Sequence, residues 1–127
     1  MGSTKIHLRQ DLSEAKSRFL QGPEEFALRL NRDEMWTLTD MITNMLMDCD
    51  NALEAFLLKE THDRVLAKFE ALTKRGNIGR QKGGAIFRFS RSVAYNLFEW
   101  LNEFGFEHPL YNSLAIKIVD TLYQQLL

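Results

Sequence analysis

Phe26-Ala27-Leu28-Arg29-Leu30-Asn31-Arg32-Asp33 and, 59 residues further on, Ala85-Ile86-Phe87-Arg88-Phe89-Ser90-Arg91-Ser92 are the two stretches whose reading decides the fold. In each, apolar residues alternate with others, the period of a half-buried strand. In each, a polar residue then stands where a helix can begin: Asn31 or Asp33 in the first, Ser90 or Ser92 in the second. Behind each cap the apolar period lengthens to that of a helix. Met35, Leu38, Ile42, Met45, Leu46 and Cys49 share one face of the first helix, and Ala94, Leu97, Leu101 and Phe104 one face of the second.

The match extends over residues 26–42 and 85–101. Arg29 falls on Arg88, Arg32 on Arg91 and Leu38 on Leu97, and those three positions are identical. Asn31 falls on Ser90, Trp36 on Tyr95 and Asp40 on Glu99. This is a strand–helix pseudo-repeat, and two such strands can pair with their helices packed on one face. The plainer alternative is that a strand followed by a capped helix is a common local solution, so two would look alike without duplication.

Outward from these stretches the chain reads as further helices. Ile6-His7-Leu8-Arg9 alternates like a short strand. Asp11 caps a helix over Leu12 to Leu20, which Gly22-Pro23 ends. Asp50 caps a short helix over Asn51 to Leu58. Thr61 or Asp63 starts another with Val65, Leu66, Phe69 and Leu72 inward, closed by Gly76. Gly105 closes the helix that follows Ser90 or Ser92. Pro109 suits the first turn of a last helix, whose stripe of Leu114, Ile118 and Leu122 is widened by Ile116, Val119, Tyr123 and Leu126. The expected class is α+β, predominantly helical, with about five helices and two or three short strands.

A chain of 127 residues, 45% hydrophobic and 26% charged, fits a single domain over 1–127, with residues 1–4 a disordered terminus and 76–84 a flexible, basic, glycine-rich connector. The formal net charge of −1 excludes a broadly basic nucleic-acid binder but not a local patch. Cys49 is alone, so no disulfide forms within the chain, and a reducing compartment fits. No signal peptide and no apolar run of membrane-spanning length is present. A soluble cytoplasmic protein without membrane contact is expected.

Charge segregation carries the functional reading. From Lys74 to Arg91 stand Lys74, Arg75, Arg80, Lys82, Arg88 and Arg91 with no acid, whereas residues 33–60 hold seven acids against Lys59. Gly76, Gly79, Gly83 and Gly84 let the basic segment bend close to a ligand. With Arg29 and Arg32 on the matching strand–helix unit, these cations form a candidate anion site. Paired arginines can clamp a phosphate or carboxylate, and Phe87, Phe89 and Tyr95 can stack on a base. The segment is not a phosphate loop, because it lacks the Gly-Lys-Ser/Thr ending and leads into a strand. Its plainer meanings are solvated arginines and a loop that balances the acidic half of the chain. Phe87 and Phe89 fit a buried strand face better than a stacking platform.

The leading expectation is a non-enzymatic binding protein that engages an anionic partner (a nucleotide, a nucleic acid or an acidic protein surface) through this connector. The alternative is a structural or adaptor protein acting by helix-mediated homo-oligomerisation or protein–protein binding. Its interface residues are Trp36, Met41, Met47, Ile116 and Tyr123, while Met35 and Met45 suit the core. The breadth of the last helix's stripe suits a buried helix or a subunit interface, and a homo-oligomer is expected over a monomer. A small enzyme using Cys49, or a carboxylate such as Asp40 or Glu99, is a third reading without a supporting motif. His7, His62 and His108 are scattered, and no cofactor or metal is expected.

Overall fold

The structure, a computed structural model, describes residues 12–74, 84–104 and 106–127. The fold is α+β and predominantly helical, with five helices and a two-stranded antiparallel sheet among the described residues. In chain order these are α1 (Leu12–Gln21), β1 (Glu25–Leu30), α2 (Arg32–Met47), α3 (Ala52–Lys74), β2 (Ala85–Ser90), α4 (Arg91–Glu103) and α5 (Pro109–Gln124). The expected strand at Ile6 to Arg9, the cap at Asp11, and the closing roles of Gly76 and Gly105 lie outside the described residues.

Both strands form where alternation places them. Phe26, Leu28 and Leu30 of β1 are buried, as are Ala85, Phe87 and Phe89 of β2. Arg29, Ile86 and Arg88 between them face solvent. The caps stand at the aligned positions 31 and 90. The Asn31 side chain accepts from the Glu34 amide at 2.8 Å, and the Glu34 carboxylate accepts from the Asn31 amide at 2.9 Å, a reciprocal capping box. Ser90 Oγ accepts from the Val93 amide. Each capped helix is followed by another, so the sequence pattern of strand, cap and helix extends in three dimensions to strand–helix–helix, once as β1–α2–α3 and once as β2–α4–α5.

One element differs from expectation. The two helices expected over 51–58 and from residue 61 onward are one, the single helix α3, which begins at Ala52 and runs through the junction to Lys74. The Lys59-Glu60-Thr61-His62 junction contains neither glycine nor proline. It is spanned by ion pairs one turn apart, Lys59 to Asp63 at 3.3 Å and Arg64 to Glu60 at 2.8 Å. Thr61 and Asp63 are acceptable capping residues, but here they sit inside a continuous helix, and Thr61 is buried.

Backbone contacts divide the chain into two compact units, one of residues Arg29–Phe87 and one of the segments Met1–Leu28 and Arg88–Leu127. In the first, α2 packs on α3 and the Phe69 and Phe87 rings meet edge to face with centroids 4.9 Å apart. In the second, α4 packs on α5 and on α1, and Phe19 of α1 sits among Phe26, Tyr95 and Phe98. Gln125 completes this unit by an unusual pairing. Its carboxamide accepts from the Ala27 amide at 2.9 Å and donates to the Ala27 carbonyl at 2.8 Å. One side chain thus does for that step of β1 what a neighbouring strand would do.

The apolar breadth of α5 is absorbed within the chain. Leu114, Ala115, Ile118, Val119 and Leu122 are buried, and Ile116 and Tyr123 are half-buried, Tyr123 stacking on Phe98. Before Pro109, His108 caps the helix: its Nδ1 accepts from the Leu110 amide at 3.1 Å. Asn102 of α4 is buried with both carboxamide atoms unpartnered, a local cost that burial of an amide without hydrogen bonds imposes.

Candidate functional site

The cations singled out in the sequence do not share one fate. Arg75, Arg80 and Lys82, with most of the connector, lie outside the described residues. Arg91, the first residue of α4, is half-buried and committed to main chain. Its Nε donates to the Pro23 carbonyl at 3.1 Å, its Nη2 to Gly22 at 2.8 Å and its Nη1 to Leu20 at 3.4 Å, while its amide donates to the Glu24 carbonyl at 2.9 Å. The planar fork therefore collects the orphan carbonyls at the C-terminal end of α1 and the turn into β1. Arg91→Ala is expected to cost about 2 kcal/mol, from loss of charge-assisted bonds to partly buried carbonyls. Arg91→Lys is expected to recover less than half of that, because an ammonium cannot span three acceptors. Equilibrium urea unfolding of the three proteins measures both, and equal stabilities would show that the fork is dispensable.

Arg29 is exposed on β1 and donates from Nη1 to the Gly84 carbonyl at 3.2 Å. Arg88 is exposed on β2, Arg32 in the first turn of α2 and Lys74 in the last turn of α3. None of these three takes part in an ion pair among the described residues. Phe87 and Phe89 are buried, as their alternation indicates, and present no stacking face.

Tyr95, half-buried on α4, donates to Glu99 at 2.7 Å, and Lys16 of α1 reaches the same carboxylate at 3.5 Å. Burial first, then the bond to Glu99, pushes the Tyr95 hydroxyl well above its ordinary value of 10.0. A raised folded-state value means that the folded protein keeps a proton that the unfolded chain gives up. The stabilisation is complete below about pH 10 and is lost as pH rises beyond it. Chemical denaturation between pH 9 and pH 11 is expected to show a decline in stability that is shallower in Tyr95→Phe. An identical slope in both proteins would assign the decline elsewhere.

Cys49 is half-buried rather than closing a buried stripe, and its thiol donates to the Asn51 carbonyl at 3.3 Å. His62 contacts its neighbour Asp63, and His108 serves as a helix cap. Asp40 is exposed. Among the described residues, no group of three or more His, Cys, Asp or Glu side chains is placed to hold a metal ion. No helix among them is long and apolar enough to cross a membrane.

The interface candidates divide as well. Met47 is 77% exposed and Trp36 40%, but Met41 is fully buried, a correction to its assignment as a surface residue. On the α2 wheel it lies beside Leu38, Ile42 and Met45, which face inward with it. A more exposed apolar cluster stands where the sequence pattern does not mark one. Leu53 and Phe56 face solvent on α3, away from the buried line of Leu58, Thr61, Val65 and Phe69, and Leu57 is exposed at the border between the two. Their spacing of three and four residues makes them neighbours on one surface.

No family model matches the chain, and no curated protein or solved structure is significantly similar to it.

Proposed function

We propose that this protein works without catalysis, by binding another protein through the outward face of α3. The observation that carries this reading is the exposure of Leu53 (69%), Phe56 (64%) and Leu57 on one side of one helix. Isolated exposed apolar residues are ordinary, but three adjacent ones, including a phenylalanine, present a continuous surface that water solvates poorly. The opposite side of α3 already packs inward, so this face is the one available to a partner. Apolar residues at i, i+3 and i+4 on an exposed helix face are spaced as the anchors by which helices dock on partner proteins.

A benzophenone side chain placed at position 56 and irradiated in cells is expected to give a discrete protein adduct. The same group at the exposed Asp120 of α5 is expected to give none. Equal labelling at both positions, or none at either, would overturn the reading.

A second reading, capture of an anionic partner by the basic segment, is favoured by Arg32, Lys74 and Arg88, which are exposed and outside the ion pairs of the described residues. It predicts binding to nucleotides or short oligonucleotides that weakens with salt and is abolished by Arg80→Glu combined with Lys82→Glu. Unchanged binding in that double variant removes it.

A further inference from the structure

We infer that the partner of the α3 face is a second copy of this chain, packed α3 against α3 in antiparallel sense, with the two-fold axis passing level with residue 62. The inference rests on the reading of α3 as a protein-binding surface and names its occupant. Along the exposed face the residues fall into three zones. Leu53, Phe56 and Leu57 crowd the N-terminal part, the Glu60–Arg64 ion pair occupies the middle, and the C-terminal part is small, with Ala67 and Ala71 exposed. The face is therefore bulky at one end and flat at the other.

An antiparallel crossing centred at residue 62 matches those zones to one another. Leu53 then stands across from Ala71 of the second copy, and Leu57 across from Ala67, so each leucine meets a methyl group rather than another bulky side chain. Glu60 stands across from Arg64, so the pair now formed within one helix, at 2.8 Å, becomes a ring of four alternating charges. The flanks agree: the first half of α3 carries Glu54, Glu60 and Asp63 against Lys59, and the second Arg64, Lys68 and Lys74 against Glu70. A parallel arrangement loses all of this, setting Glu60 on Glu60 and Arg64 on Arg64. The surface is self-complementary in one orientation only, as a two-fold interface requires.

The contact runs from residue 53 to residue 71, about 27 Å at about 1.5 Å per residue. One helix face of that length falls short of the roughly 800 Å² per partner of a standard interface, so a concentration-dependent dimer is expected, with a Kd of about 10–100 μM.

Sedimentation equilibrium on the full chain from about 5 to 500 μM tests this directly. A monomer–dimer equilibrium is expected, weakened about 30-fold or more by Phe56→Glu, which places a carboxylate in the contact of both copies. Glu60→Arg and Arg64→Glu are each expected to be monomeric alone and to dimerise when mixed, because each supplies the charge that the other lacks. Orientation is read in a Cys49→Ser background. Leu57→Cys mixed with Ala67→Cys is expected to form an intermolecular disulfide under mild oxidation, and neither is expected to do so alone. A monomer up to about 500 μM overturns the inference, and so does a Leu57→Cys chain that links to itself, which would mean parallel packing. A monomer whose benzophenone at position 56 still labels a different protein overturns the second copy as occupant and leaves the α3 surface standing. A monomer that labels nothing overturns both.

Discussion

Gly84→Ala is expected to destabilise the protein by at least about 3 kcal/mol or to prevent folding altogether. Gly84 enters β2 with φ at +95°, a backbone region that L side chains rarely adopt, and this alone costs on the order of 1–2 kcal/mol. Steric overlap costs more. A Cβ at this position would fall within the van der Waals envelope of the Leu30 carbonyl and the Asn31 amide. Those atoms cannot yield cheaply. Leu30 ends β1 with its side chain buried, and the Asn31 amide is held by Glu34 in the capping box of α2. Relief of the clash would separate the strands or uncap the helix, and either also displaces the Gly84 carbonyl that Arg29 holds. Urea unfolding followed by circular dichroism measures the loss. A variant as stable as the parent would mean that the chain does not pass itself so closely at this point.

Phe19→Ala is the second large effect, expected at about 3–5 kcal/mol, with Phe19→Leu at less than half of that. Phe19 is 2% exposed, and its ring is 5.1 Å from Phe26, 5.4 Å from Tyr95 and 5.3 Å from Phe98, centroid to centroid. The three neighbours come from β1 and α4, so one side chain joins α1 to both. Truncation leaves a cavity lined by three rings and removes their edge and tilted contacts. The same urea experiment reads the result, and near-UV circular dichroism is expected to lose the signal of the packed tyrosine. A loss below about 1 kcal/mol would show that α1 is peripheral to this aromatic cluster.

These two positions show where local sequence stops informing. Phe19 is one apolar residue in a short helix, and nothing within a few residues of it marks it as a hub. Its partners lie in other elements, with Phe98 far along the chain. Gly84 is more legible, since a glycine before a strand invites an unusual backbone, but its reason, the close passage of residues 30 and 31, is non-local. Arg91 is a similar case. The sequence marks it through its alignment with Arg32 and suggests an anion ligand, whereas the fold brings it to three carbonyls around residues 20–23.

The two-helix reading of residues 51–74 fails for a different physical reason. Thr61 and Asp63 have side chains that can cap a helix, and capping is judged from only three or four residues. A helix divided at that point leaves residues 51–58 as a short piece to which the sequence reading assigns no inner face. One continuous helical register sets Leu53, Phe56 and Leu57 outside the buried line of Leu58, Val65 and Phe69. The exposed face on which both the proposed function and the dimer rest thus becomes visible only when the helix is whole.

By itself the sequence determined the class of the fold, the two alternating strands, the polar caps that follow them to within a choice of two residues each, the start of α5 at Pro109 and the burial of Phe87 and Phe89. All of these follow from steric and hydrogen-bonding preferences that act within a turn or a strand step. Tertiary structure alone decided that α5 buries its broad stripe inside the chain, that Met41 is buried, that Arg91 binds main chain, and that α3 keeps an apolar face in water. Periodicity identifies which residues of a helix prefer to leave water. Whether a neighbouring element covers them depends on contacts between residues far apart in the chain, which no local pattern encodes.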